Sequence, residues 1–242
     1  MSTARDYTLR ESSRARRVSL RVSRTGDVEV VVPRGFDTSI VPHIVERHDA
    51  WIERRLARTA ADRALIEPEP VDGKPTEISL RAVTEQWHAS YVATDSSRIT
   101  ITERRSERPS LEIRVSGPVH DALLCREALR RWLRRRATEF LPPRLDSLAA
   151  EHGFEFSRVS VRLQKTRWGS CSSSGTISIN AKSMFLPPEL MDHLLLHELC
   201  HTAHGNHSAH FHELLDERSR DAAARESELR RAWLYVPGWA EE

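Results

Sequence analysis

The spacing of apolar and polar positions changes period along the chain, and each change predicts a new element. Val18, Leu20 and Val22, then Val28, Val30 and Val32, alternate with other residues on either side of Arg24-Thr25-Gly26-Asp27. Period two around a glycine-bearing segment predicts a β-hairpin, with Gly26 supplying the positive φ of a tight turn. After Pro33 the spacing becomes helical. Ile40, Ile44, Trp51, Ile52 and Leu56 recur at three- and four-residue intervals behind Asp37 or Ser39 as cap, and the helix is expected to pack on the hairpin. The breaker-rich run Glu67 to Pro75 predicts a linker or long turn. Short strand-like runs follow at Glu77 to Val83, His88 to Thr94, Arg98 to Thr102 and Leu111 to Val115. Residues 1–115 therefore make a small β-rich module with one helix.

Pro118 opens a long amphipathic helix whose apolar stripe is Leu129, Trp132, Leu133, Phe140 and Leu141. Arg130, Arg131, Arg134 and Arg135 cover its other side, and a solvated face is favoured over a nucleic-acid contact. The helix is expected to stop near Pro142-Pro143, with a second short helix reaching His152 and Gly153 capping it. Val159 to Leu163 and Thr176 to Asn180 alternate as strands. Between them runs a Gly- and Ser-rich loop, Lys165 to Gly175. A strand entered through such a loop can present an open edge to an extended peptide, which makes Arg167, Trp168 and Ser178 candidate substrate contacts. Equally, Trp168 can belong to the core and the serines can serve only as turn formers. Pro187-Pro188-Glu189 starts a helix in which Leu190, Met191, Leu194, Leu195 and Leu199 bury much of the surface. Residues 116–242 form the second domain.

Composition narrows the class. With 242 residues, 39% hydrophobic and 30% charged, the chain can bury a substantial core and is not of disordered type. No apolar run reaches the roughly 18 residues of a membrane span, and Met1 to Arg17 carries no hydrophobic signal segment, so a cytoplasmic address is expected and no membrane partner. Cys125, Cys171 and Cys200 have neither disulfide-framework nor zinc-knuckle spacing and read as free thiols. Basic residues are nearly all arginine, yet net charge is only +2, which removes the strong electrostatic argument for nucleic acid. The oligomeric state has no signature in the sequence.

Histidine carries the chemistry: seven of twelve lie between His193 and His212. His197-Glu198-Leu199-Cys200-His201 is an HExxH pentapeptide, which on a helix places two imidazoles at i and i+4 to grip one Zn²⁺ beside a carboxylate. A charged Glu198 and two histidines in so apolar a helix are costly unless paired or metal-bound. A third ligand must come from a chain that turns back, since eight residues of helix rise about 12 Å. Gly205 is a breaker, and among the nearby histidines His207 ranks first and His210 second. His193, one turn before His197, is expected to flank the site or be partly exposed. No methionine follows the motif, so a Met-turn is excluded. With three imidazoles on zinc the fourth position is open to water, for which Glu198 would act as general base. Arg167, His193 and Tyr235 are candidate oxyanion donors, and Asp192 a candidate acceptor for a ligand imidazole.

Lys165-Thr166-Arg167-Trp168-Gly169-Ser170-Cys171-Ser172, the HExxH segment, and Asn206-His207-Ser208 with Phe211 resemble the YgjP-like metallopeptidase family, related to SprT-like and WLM-domain proteases. The similarity extends more weakly to Val32-Pro33-Arg34-Gly35 and Trp51-Ile52. It implies an α+β fold with a zincin-like domain behind a β-rich N-terminal module, a peptide or protein substrate, and His207 as third ligand. His193 stands where a tyrosine is expected, and His212 where a tryptophan usually follows the phenylalanine. Two other functions fit the same residues: a metal-dependent nucleotide or phosphoester hydrolase, and a non-catalytic nucleic-acid-associated protein using the Arg130 to Arg136 helix and the N-terminal arginines.

Overall fold

The computed structural model describes residues 6–23, 26–64, 73–105 and 111–241. Contacts cluster into two compact units, Met1–Pro68 and Glu69–Glu242.

In the first unit the hairpin forms between β2 (Ser19–Val22) and β3 (Val28–Pro33), antiparallel with Val22 opposite Val28. Gly26 has φ +91, as a tight return requires, while Arg24 and Thr25 lie outside the described residues. A strand not foreseen, β1 (Thr8–Ser12), pairs parallel with β3 on its other side. It is mostly exposed, and so lacks the alternation by which strands are recognised. The expected single helix is two. α1 (Val41–Arg47) and α2 (Asp49–Ala64) break at His48, behind a 3-10 turn capped by Asp37, whose carboxylate accepts from Ser39 N. The break shifts the helical phase. Val41, Val45 and Ile52 join Val28, Val30 and Val32 in the core, while Ile40 and Trp51, counted in the apolar stripe, are exposed.

The second unit is built around α3 (Ala122–His152), which Asp121 starts by accepting hydrogen bonds from Leu123 N and Leu124 N. It does not stop at Pro142-Pro143. Interior prolines remove N–H donors and cost about 3 kcal/mol each. Leu141, Leu145 and Leu148 beside them are buried, each contributing roughly 1.5–3 kcal/mol, so tertiary packing overrides the local break. The helix ends at Gly153 in left-handed conformation, as expected.

The strand-like runs become β4 (Glu77–Leu80), β5 (Glu85–Ala93), β6 (Thr100–Arg105) and β7 (Leu111–Gly117), in the order β4-β5-β7-β6. Ile78, Trp87, Ile113 and Val115 from this sheet share one core with Leu129, Trp132 and Leu133 of α3. Trp87 and Trp132 meet edge to face at 5.3 Å. The compact units thus divide at 68/69, not at the expected 115/116, because the apolar face of this sheet is covered by α3.

The arginine run of α3 is largely engaged within the unit. Arg130 donates to the Glu241 carbonyl, and Arg135 and the Trp132 indole donate to Glu103. Arg136, buried, donates to Glu85 and Glu139. Arg131 and Arg134 are exposed, as a solvated face requires.

A second sheet, in the order β8-β10-β9, comprises β8 (Arg158–Arg162), β9 (Gly169–Cys171) and β10 (Thr176–Asn180). α4 (Pro188–Ala203) packs beside β9, and α5 (Ala209–Arg218) and α6 (Ala222–Leu229) pack on α4. Among the described residues no helix is long and apolar enough to cross a membrane.

Candidate active site

α4 begins with Pro188 in its first turn, where a missing N–H costs nothing, and Glu189 beside the positive end of the helix. Leu190, Met191, Leu194, Leu195 and Leu199 are all buried, as the spacing predicted. At His204 the backbone becomes extended (φ −129, ψ 103) and the helix ends. The chain turns and re-enters a helix at Ser208, whose hydroxyl accepts from Phe211 N.

This turn brings His207 back over α4. Its Nε2 lies 3.2 Å from His197 Nε2, which is itself 3.2 Å from His201 Nε2. Phe211, fully buried, packs against all three rings, 4.5 Å from His201 and about 5 Å from the other two. Among the described residues these three histidines form the one group with metal-ligand spacing.

The outer ring nitrogens decide what the inner ones are. His197 Nδ1–H donates to Glu226 Oε1 at 2.7 Å, and His201 Nδ1–H donates to the His204 carbonyl at 3.1 Å. Each Nε2 therefore presents a lone pair, and two lone pairs facing each other at 3.2 Å repel unless a cation joins them. Tetrahedral coordination at about 2.0–2.1 Å puts ligand nitrogens about 3.3–3.4 Å apart, so the donor set fits a zinc-sized ion. Burial lowers the pKa of His201 and of His207, which favours the neutral form that coordinates metal.

Glu198 is buried, with Oε2 lacking a hydrogen-bond partner. Burial pushes its pKa up to about 7, with Glu226 adding to the rise and His197 opposing it. Its carboxylate lies directly against Gly169 of β9: a Cβ there would stand 2.4 Å from Glu198 Oε1. Only glycine leaves room for that oxygen.

Other candidates fall elsewhere. Trp168 is buried, stacked on Trp233 at 4.2 Å, and its indole N–H donates to the Leu229 carbonyl. It is a core brace. Ser178 lies on β10, which is not an open edge: β8 pairs with one side and β9 with the other. The edges of this sheet are β8 and the three-residue β9, the latter too short to stand out in the sequence. Arg167 is exposed, and Asn180 fixes its carbonyl by donating to it at 2.8 Å. His193, expected to flank the site or be partly exposed, flanks it from a buried position, with its Nδ1 2.7 Å from the Ser219 hydroxyl and its Nε2 3.3 Å from Glu226. Tyr235 donates to Glu228. Asp192 is gripped by Arg144 through two hydrogen bonds and serves no ligand imidazole. Glu226 takes that role. It comes from α6, 29 residues beyond His197, where no local pattern marks it. Its two imidazole partners hold its carboxyl well below the usual carboxylate range. His210 pairs with Glu213 at the surface.

The sequence profile of the YgjP-like metallopeptidase domain matches residues 16–232. The chain belongs to the YgjP-like family. Membership implies a metal ion and peptide or protein substrates, in keeping with the histidine cluster. Among solved structures, the crystal structure of the metallopeptidase zymogen of Pyrococcus abyssi abylysin is similar at 22% identity, covering 38% of this chain and 94% of that chain. The TM-score is 0.35, too low for the likeness to carry an argument. No curated protein matches the chain.

Proposed function

We propose that this YgjP-like protein is a zinc-dependent peptidase in which His197, His201 and His207 hold the metal, Glu198 moves the proton and β9 aligns the substrate. The observation that carries this reading is the convergence of three imidazole Nε2 atoms, with 3.2 Å separations from His197, beside a buried carboxylate with one unpartnered oxygen. Held by these three imidazoles, zinc would supply Lewis acidity towards a peptide carbonyl and would make water acidic enough to ionise near pH 7.

Glu198 accepts the proton of the attacking water as the new C–O bond forms, then delivers it to the amine nitrogen as the C–N bond breaks. Gly169 keeps the space in which that carboxylate sits. The pairing of β9 with β10 supports the role of its outer edge. Ser170 is opposite Ser178, and Ser172 N and Asn180 N bond across the same ladder to the Thr176 and Trp168 carbonyls. Alternation then directs the N–H and C=O of Gly169 and Cys171 away from β10, where an extended peptide can add as a further strand. A backbone-paired substrate would be recognised mainly as extended chain.

The direct assay offers the zinc-loaded chain an unstructured casein-type peptide mixture and, separately, nucleoside triphosphates. Peptide cleavage that a chelator abolishes and zinc restores is expected, with no phosphate release. Phosphate release without peptide cleavage would replace the reading with a phosphoester hydrolase.

A further inference from the structure

Glu226 has an arrangement that the HExxH motif does not require. A single carboxylate oxygen, Glu226 Oε1, takes a hydrogen bond from His197 Nδ1 at 2.7 Å and lies 3.3 Å from His193 Nε2. His193 is in turn held from behind, its Nδ1 2.7 Å from Ser219 Oγ, and both His193 and Ser219 are buried. The three supporting residues come from three places. His193 is one turn before His197 on α4, Ser219 caps the end of α5, and Glu226 sits in α6.

The proton positions along this chain are constrained at one end. A carboxylate only accepts, so the imidazole nitrogens facing Glu226 must both carry hydrogen. His193 then has its proton on Nε2 and a lone pair on Nδ1, to which the Ser219 hydroxyl donates. His197 has its proton on Nδ1 and a lone pair on Nε2. An isolated imidazole is free to exchange these two forms, and only the second can take a metal through Nε2.

We infer that Glu226, backed by His193 and Ser219, is a positioning residue that locks His197 in its metal-binding tautomer and ring orientation before any metal arrives. This rests on the proposal that His197 is a ligand, but the locked tautomer is a property of the metal-free chain. The 2.7 Å bond to His197 is the dominant contact, and His193 steadies the carboxylate from its other side. Strengths should therefore fall in the order Glu226, His193, Ser219. Carboxylates that orient ligand histidines typically affect metal affinity by about 10–100-fold.

The test uses the full-length chain with zinc alone as probe, and two readouts. The first is zinc affinity by competition with a chromophoric chelator. Glu226→Ala should weaken it by about 10–100-fold, Glu226→Gln by less because an acceptor oxygen remains, His193→Ala by less again, and Ser219→Ala least. The second is nitrogen-15 NMR of the metal-free imidazoles, with His197 identified by comparison with a His197→Asn chain. The wild type should show His197 protonated on Nδ1, and Glu226→Ala should shift it towards the Nε2-protonated form. Thermal melts of each variant separate a folding defect from a site defect, and Glu226→Leu, which also removes the acceptor, serves where Glu226→Ala does not fold. A folded Glu226→Ala chain, or Glu226→Leu where alanine does not fold, with wild-type zinc affinity and an unchanged His197 tautomer overturns the inference, as does a wild type protonated at Nε2. If peptide cleavage is absent while zinc affinity and tautomer follow the expected order, the peptidase reading fails and this one stands.

Discussion

Two buried polar clusters in the second unit make an instructive pair. Around Arg136, a guanidinium donates to Glu85 and Glu139 and lies 5.4 Å from the Trp87 ring, so charge is met by charge inside the fold; one nitrogen, Nε, is left without a partner. Around His197, the outer nitrogens are satisfied by Glu226 and the His204 carbonyl, but the inner ones face one another and Glu198 Oε2 has no partner. Both clusters carry the desolvation cost of buried polarity. The first largely compensates it from within the chain. The second is organised at its rim and open at its centre, as expected where the missing partner arrives from solution.

Breaking the open centre should have the largest effect. Glu198→Gln keeps size and packing but cannot accept a proton; peptide turnover should fall by about 10²–10⁴-fold while zinc content stays near one per chain. Wild-type turnover in this variant would remove Glu198 from the chemistry. Next comes Gly169→Ala, which forces a methyl into the space of the Glu198 carboxylate. A displacement on the order of 1 Å can cost about 10²-fold in rate, and kcat should drop with little change in thermal stability; unchanged kinetics would show that the carboxylate tolerates the intrusion.

The largely compensated cluster should fail differently. Arg136→Ala leaves Glu85 beside an empty position and removes the cation over the Trp87 ring, a loss of roughly 3–5 kcal/mol measurable by urea unfolding. The zinc affinity of the folded fraction should not move. The smallest change is Arg135→Ala. Its guanidinium is about half exposed beside Glu103, so discounting for solvent leaves about 0–1 kcal/mol. A loss as large as that of Arg136→Ala would contradict the distinction between buried and surface pairs.

The same contrast explains how much was legible in the sequence. His197, Glu198 and His201 share one helix turn, and the break after Ala203 with Ser208 as a cap announces where His207 returns; local spacing encodes all of this. The apolar periodicity likewise located most strands and helices. Contacts that depend on distant segments were hidden. Glu226 has nothing around it to distinguish it from any helical glutamate, and Asp192, the nearer candidate, is held by Arg144 instead. Thr176 to Asn180 was recognisable as a strand, but whether it lies at the edge or centre of its sheet depends on the three residues of β9. The prolines of α3 misled for the same reason: the core packed on both sides of them outweighs their local cost.

X-ray absorption at the zinc edge tests the central claim most directly, on wild type and on the Glu198→Gln chain. The account predicts one zinc per chain in both, bonded to three imidazole nitrogens at about 2.0–2.1 Å with a light oxygen ligand completing the shell. Sulfur in the shell, fewer than three imidazoles, or a chain that takes up no zinc would contradict it.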